Sequence, residues 1–229
     1  MNFLAHLWLA DRTGADLAGA VLGDFVRGRI VRPHTIDPAA IPVSASENIG
    51  LEPRSTPLTA GLAESVLLHR RIDVSTDHHP RVRAALSDFP PGARRYGGIL
   101  LDLLYDHLLA RRWHEFSDET LEDFCRRAAR EVAAAASWFE QAGAVAPTAS
   151  RLQALLMSYQ HATGIDEAIR RTAMRLRKPE GLIAAAQAWP TRIEAANRDL
   201  APLLSDLRVE SLRFMRNDNT TPDERATAD

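Results

Sequence analysis

An all-α fold, a single helical bundle, is predicted for this chain by three observations. Apolar residues recur at helical spacing in almost every periodic segment, β-branched runs are few, and no Asn-Gly pair or alternating pattern marks a hairpin. With 45% hydrophobic residues among 229, the chain can bury a substantial core.

The elements follow in order. A first helix is predicted over about 2 to 11, and a second from Ala15, with Gly28 as its C-cap. From about 30 to 58, Pro33, Pro38, Pro42, Pro53 and Pro57 stand among small and polar residues and predict a loop insertion. Helices resume from Thr59 to about Asp77, and His79-Pro80 opens a short one with proline in its first turn. The next starts after Pro90-Pro91-Gly92. Ser117, followed by Asp118 and Glu119, reads as the N-cap of a long helix through Leu121, Phe124, Val132 and Phe139. Three further helices are expected over about 149 to 160, 164 to 178 and 190 to 215, with Pro179 and Pro190 as punctuation. The helical domain is thus expected over residues 1–216, and the polar stretch 217–229 is expected to be a disordered tail.

Composition narrows the function. A formal net charge of -2 argues against a dedicated nucleic-acid binder. No apolar run of about 18 residues predicts a membrane span, and the start Met1-Asn2-Phe3-Leu4-Ala5-His6 has no basic leader. Cys125 is the single cysteine, so neither an intramolecular disulfide nor a cysteine-based zinc cluster can form. A cytoplasmic protein is expected.

The chemistry lies in polar groups set into apolar faces. The run Ile99 to Leu109 holds Asp102, Asp106 and His107, with the two carboxylates one helical turn apart. A buried unpaired carboxylate costs several kcal/mol, so something positive must meet this face, either arginines in a core network or a divalent cation. His69, Asp73 and Asp77 repeat the logic at successive i, i+4 positions. Asp24 in Gly23-Asp24-Phe25-Val26-Arg27-Gly28 and His6 between Phe3 and Leu9 add two more candidates. A shared cation site explains His6, Asp24, His69, Asp73, Asp102, Asp106 and His107 together. Mixed nitrogen and oxygen donors suit manganese, magnesium, iron or zinc, whereas paired Glu-x-x-His motifs for a di-iron bundle are missing. His34, His78, His79, His114 and His161 receive no role.

With these residues in hand, the sequence resembles the acyl carrier protein phosphodiesterase family, a divergent branch of the HD-type metal-dependent phosphohydrolases. The resemblance is carried by Asn2-Phe3-Leu4-Ala5-His6-Leu7, Asp24-Phe25-Val26-Arg27-Gly28, His69-Arg70-Arg71-Ile72-Asp73 with Thr76-Asp77, and Asp102 with Tyr105-Asp106-His107. It covers chiefly the chain up to Arg112, and the segment between Gly28 and His69 is longer than the family pattern. The resemblance implies an HD-type helical bundle, manganese or magnesium as cofactor, and removal of the 4′-phosphopantetheine arm from a serine of holo acyl carrier protein. On that basis His6, Asp24, His69, Asp106 and His107 are expected to hold the metal. Asp73 would orient water or act as general base, with Asp102 in support. Arg27, Arg70 and Arg71 would hold the phosphodiester and Asp77 would line the substrate site, while Arg29, Arg32, Arg111 and Arg112 join Arg27 as candidates for docking an acidic carrier. Two other functions fit the same residues: a phosphohydrolase of a small molecule such as a nucleotide, and a helical interaction protein that uses these groups only for core hydrogen bonds.

Overall fold

Two helices buried on almost every side organise the molecule. α1 (Phe3–Thr13) buries every residue from Leu4 to Ala10, and α5 (Arg94–Arg111) buries an unbroken run from Leu103 to Ala110. The computed structural model describes residues 2–30, 58–90, 93–187 and 189–216. Around the central pair lie α2 (Leu17–Leu22), α3 (Ala60–His78), α4 (Pro80–Ser87), α6 (Leu121–Ala134), α7 (Ala136–Gln141), α8 (Ala149–Ser158), α9 (Ala162–Ala173), α10 (Pro179–Ala186) and α11 (Trp189–Met215). No strand occurs among the described residues. One hydrophobic cluster runs through these helices, and each fully buried leucine contributes about 1.5–3 kcal/mol relative to exposure.

Local chemistry sets most of the helix ends. Gly14, at φ 71°, terminates α1 in the left-handed conformation that a Cβ disfavours. The Asp16 carboxylate accepts the amides of Ala18 and Gly19 to open α2, and Thr148 accepts the Arg151 amide to open α8. His79 caps α4, whose first residue is Pro80.

Four expectations are corrected. α2 ends at Leu22 instead of running to Gly28, unwinding through a turn at Gly23-Asp24-Phe25. The cap expected at Ser117 belongs to Thr120, which accepts the Asp123 amide, and the long helix that follows breaks between Ala134 and Ala136. Residues 133–136 are all alanine, so the local sequence gives no sign of the break; beyond it Phe139 is fully buried edge-on to Phe25. Pro179, read as punctuation, opens the separate helix α10. The proline-rich insertion, apart from Ile30 and Leu58, and the 217–229 tail lie outside the described residues.

Candidate metal centre

Helix α3 supplies the floor of the site. Its apolar stripe, including Leu62, Val66 and Ile72, packs inward, and this carries His69 to a position between α1 and the end of α2. His69 Nε2 lies 3.2 Å from Asp73 Oδ2, one turn further along α3, and 3.4 Å from Oδ1 of Asp24 in the turn after α2. From α1, His6 Nε2 reaches Asp73 Oδ1 at 3.0 Å, and the two imidazole rings stack with centres 4.1 Å apart. The donor atoms of His6, His69 and Asp73 fall within 4.8 Å of one another. The histidines are buried, at 2% and 3% exposure, whereas the side chains of Asp24 and Asp73 are 47% and 43% exposed. The site therefore has an apolar back and a wet, anionic mouth.

Hydrogen bonds fix the ring orientations. His69 Nδ1 lies 2.8 Å from the Ala20 carbonyl, so this nitrogen carries the hydrogen and donates it, a tautomer assigned from the bonding network. A backbone carbonyl behind one imidazole nitrogen with acidic groups before the other is the usual setting of a metal-ligating histidine. Burial opposes a charge on His69, but Asp24 and Asp73 outweigh it and raise the pKa to about 9. Burial lowers His6 to about 4, so that ring is neutral at pH 7 and donates from Nε2 to Asp73. Burial also opposes the charge on Asp73, yet hydrogen bonds from His6 and His69 hold it well below the usual carboxylate range.

Asp106 and His107, expected as metal ligands, are engaged elsewhere. Asp106 is fully buried, and its two oxygens accept the Leu4 amide at 2.8 Å and the Ala5 amide at 3.0 Å. It thus caps α1 from across the bundle, where no side chain of α1 itself does so. Burial pushes its pKa up to about 7, while the two amides pull the other way. His107 places Nδ1 2.6 Å from the Tyr159 carbonyl and its ring edge-on to Trp189, so this imidazole ties α5 to the far side of the bundle. Both residues satisfy the requirement that a polar group on an apolar face find a partner, and a partner within the protein suffices.

The arginines divide similarly. Arg70, expected to bind phosphate, donates to the carbonyls of Val26 at 2.7 Å and Gly28 at 2.8 Å, tethering the chain just after Asp24. Arg71 pairs with Glu210 of α11 at 2.6 Å. Arg27 is exposed beyond the turn, and Asp77 is exposed one turn past Asp73. Asp102 is partly buried on α5; burial, then the charges of Asp73 and Asp77, raise its pKa.

Two features of the site escaped the sequence reading. One is the Ala20 carbonyl. The other is the close approach of α2 to α3: a Cβ on Gly19 would fall 2.5 Å from Ser65 Cβ, and one on Gly23 would fall 2.3 Å from His69 Cγ. The matched spacing of Gly19-x-x-x-Gly23 against Ser65-x-x-x-His69 was the available signal.

With this geometry in view, the family model described as acyl carrier protein phosphodiesterase matches residues 1–41 and 50–207. The chain belongs to that family. The match extends well beyond Arg112, so the later helices carry the family pattern too. Among curated relatives, proteins named acyl carrier protein phosphodiesterase from Enterobacter sp. (strain 638) and Klebsiella pneumoniae subsp. pneumoniae are 42% and 39% identical over 73 and 74 residues. These alignments take in 31% and 32% of this chain and 38% of each relative. The Yersinia pestis protein of the same name is 39% identical over 72 residues, 31% of this chain and 37% of that one. The chain thus matches under two fifths of the length of these relatives. No solved structure gives a significant match.

Proposed function

We propose that this chain is a divalent-metal-dependent phosphodiesterase that hydrolyses the bond between 4′-phosphopantetheine and the serine of holo acyl carrier protein, in the cytoplasm. The observation that carries the reading is the meeting of His6, Asp24, His69 and Asp73 at one mouth, in a chain of this family. The relatives' name supplies the substrate. No helix among the described residues is long and apolar enough to cross a membrane.

The donor set fits a metal: two imidazoles and two carboxylates, with the His69 tautomer fixed by a backbone carbonyl. Imidazole nitrogens favour manganese, iron or zinc over magnesium, and the carboxylates favour manganese among these. When bound, the cation supplies Lewis-acid polarisation of a phosphoryl oxygen and lowers the pKa of a water. The protein's own groups do the rest. Asp73, held strongly anionic, is a poor base and a good ligand, which moves it from the general-base role to the donor set. Asp102, with its pKa raised, is the better proton carrier, returning a proton to the serine oxygen as the phosphorus–oxygen bond breaks. Arg27, exposed three residues past Asp24, is the arginine left to meet the phosphodiester once Arg70 and Arg71 are assigned to their observed partners.

Mass spectrometry of holo acyl carrier protein incubated with this protein and manganese tests the proposal. Conversion to the apo mass, abolished by His69→Ala, is the expected result. An unchanged mass beside turnover of a generic phosphodiester would remove the carrier-protein substrate, and absence of both activities would remove the hydrolase.

A further inference from the structure

We propose that Gly23 is a positioning residue for the cation site: the missing side chain at this position is the seat of the His69 ring, and the site assembles only with glycine there. This rests on the metal-site reading above and extends it to a residue that holds no ligand atom.

A Cβ on Gly23 would lie 2.3 Å from Cγ, 2.4 Å from Cδ2 and 2.8 Å from Cβ of His69, all below any real Cβ contact. The clash falls on the stem and near edge of the imidazole, which cannot swing clear as the tip of a long side chain would. The ring has little room to retreat, because His6 stacks on it at 4.1 Å and its Nδ1–H is committed to the Ala20 carbonyl at 2.8 Å. Two routes of relief remain, and both dismantle the site. If the ring rotates, it leaves the Ala20 carbonyl and turns Nε2 away from Asp24 and Asp73. If instead the end of α2 moves off α3, it takes Ala20 and Asp24 with it, since they flank Gly23 on the same short segment. Gly19, one turn earlier against Ser65, sets the same close approach and makes the α2–α3 contact a two-rung fit.

The test compares Gly23→Ala with Gly97→Ala, another crowded glycine, where a Cβ would lie 2.8 Å from Leu86 Cδ2 at the α4–α5 contact. Manganese affinity is measured by titration calorimetry, and the His69 Nδ1–H is followed by nitrogen-edited NMR in metal-free full-length protein. Gly23→Ala is expected to weaken manganese binding by about 10- to 100-fold, the range seen for groups that orient metal ligands. It should also lose the Nδ1–H signal. Gly97→Ala should keep the signal and bind within about twofold of the parent. Wild-type affinity and an unchanged signal in Gly23→Ala would overturn the proposal. Should the parent bind no manganese, the metal reading falls while the seat is still judged by the NMR signal. Should Gly23→Ala fold poorly, a stability cycle with His69→Gly decides. The cost of alanine at 23 should largely vanish once the ring and its Cβ are gone, and an undiminished cost would refute the seat.

Discussion

Asp106 shows how one buried carboxylate can be read in two ways and what separates them. Its oxygens replace the missing side-chain cap of α1, so Asp106→Ala leaves two buried amides without acceptors, each costing about 1–3 kcal/mol. A fall in Tm of about 4–24 °C is expected by calorimetry. Manganese affinity of the folded fraction should stay within about threefold, where loss of a metal ligand would cost far more. The proposed ligands respond to pH. On that proposal a cation displaces the proton that Asp24 and Asp73 hold on His69, and that proton is bound up to about pH 9. Binding is therefore expected to tighten as pH rises from 6 to 9, checked by titration at fixed ionic strength; a pH-independent affinity would exclude His69 as ligand. The same pKa has a stability consequence of determined sign. Raised above its unfolded value of 6.5, His69 favours the fold below pH 6.5, and that contribution is lost as pH climbs through about 9 in metal-free protein. His6, lowered to about 4, acts oppositely, and its contribution is lost as pH falls from 6.5 toward 4. Asp102→Asn is expected to lower kcat by about 100-fold and to flatten one limb of the pH–rate profile, with manganese affinity unchanged.

At the level of elements, the site depends on where α2 stops. A helix continued to Gly28 would carry Asp24 around its axis, whereas unwinding at Gly23 leaves the carboxylate facing His69. Arg70 secures this by donating to the Val26 and Gly28 carbonyls. Arg70→Ala is accordingly expected to weaken manganese binding several-fold through Asp24, at a stability cost of about 1 kcal/mol. A raised KM with unchanged metal affinity would instead mean that Arg70 contacts the phosphodiester directly. Helix existence was legible from 3.6-residue periodicity and from proline and glycine punctuation, as α3, α4 and α5 show. Ends were less so: the α6–α7 break lies in an alanine run that carries no local signal, and Ser117 and Thr120 are chemically equivalent caps between which tertiary packing chose.

For the whole molecule, the proposed cation site joins α1, α2 and α3, so binding there would stabilise the contacts among them. At a metal concentration of about 100 Kd the linkage is worth about 2.7 kcal/mol, which corresponds to a rise in Tm of about 5–10 °C, reversed by a chelator. A Tm indifferent to manganese and chelator would contradict a preformed site. The bundle also explains why the far wall bears so many polar groups without sharing the chemistry. His107 and Asp106 knit α5 to two different neighbours, the Tyr159 carbonyl and the first amides of α1, on a helix buried nearly all round.

The sequence by itself determined the helical class, the order of most helices, and the candidates from which the site is drawn, because periodicity, capping chemistry and the cost of burying charge are local rules. Choosing among those candidates required three dimensions. His6, Asp24, His69 and Asp73 meet, while Asp106 and His107 bond to Leu4, Ala5 and Tyr159. In sequence both sets are polar residues on apolar faces, and a buried carboxylate is equally satisfied by a cation or by two amides. Only the packing of α1 and α2 against α3 and α5 decides which partner each one finds.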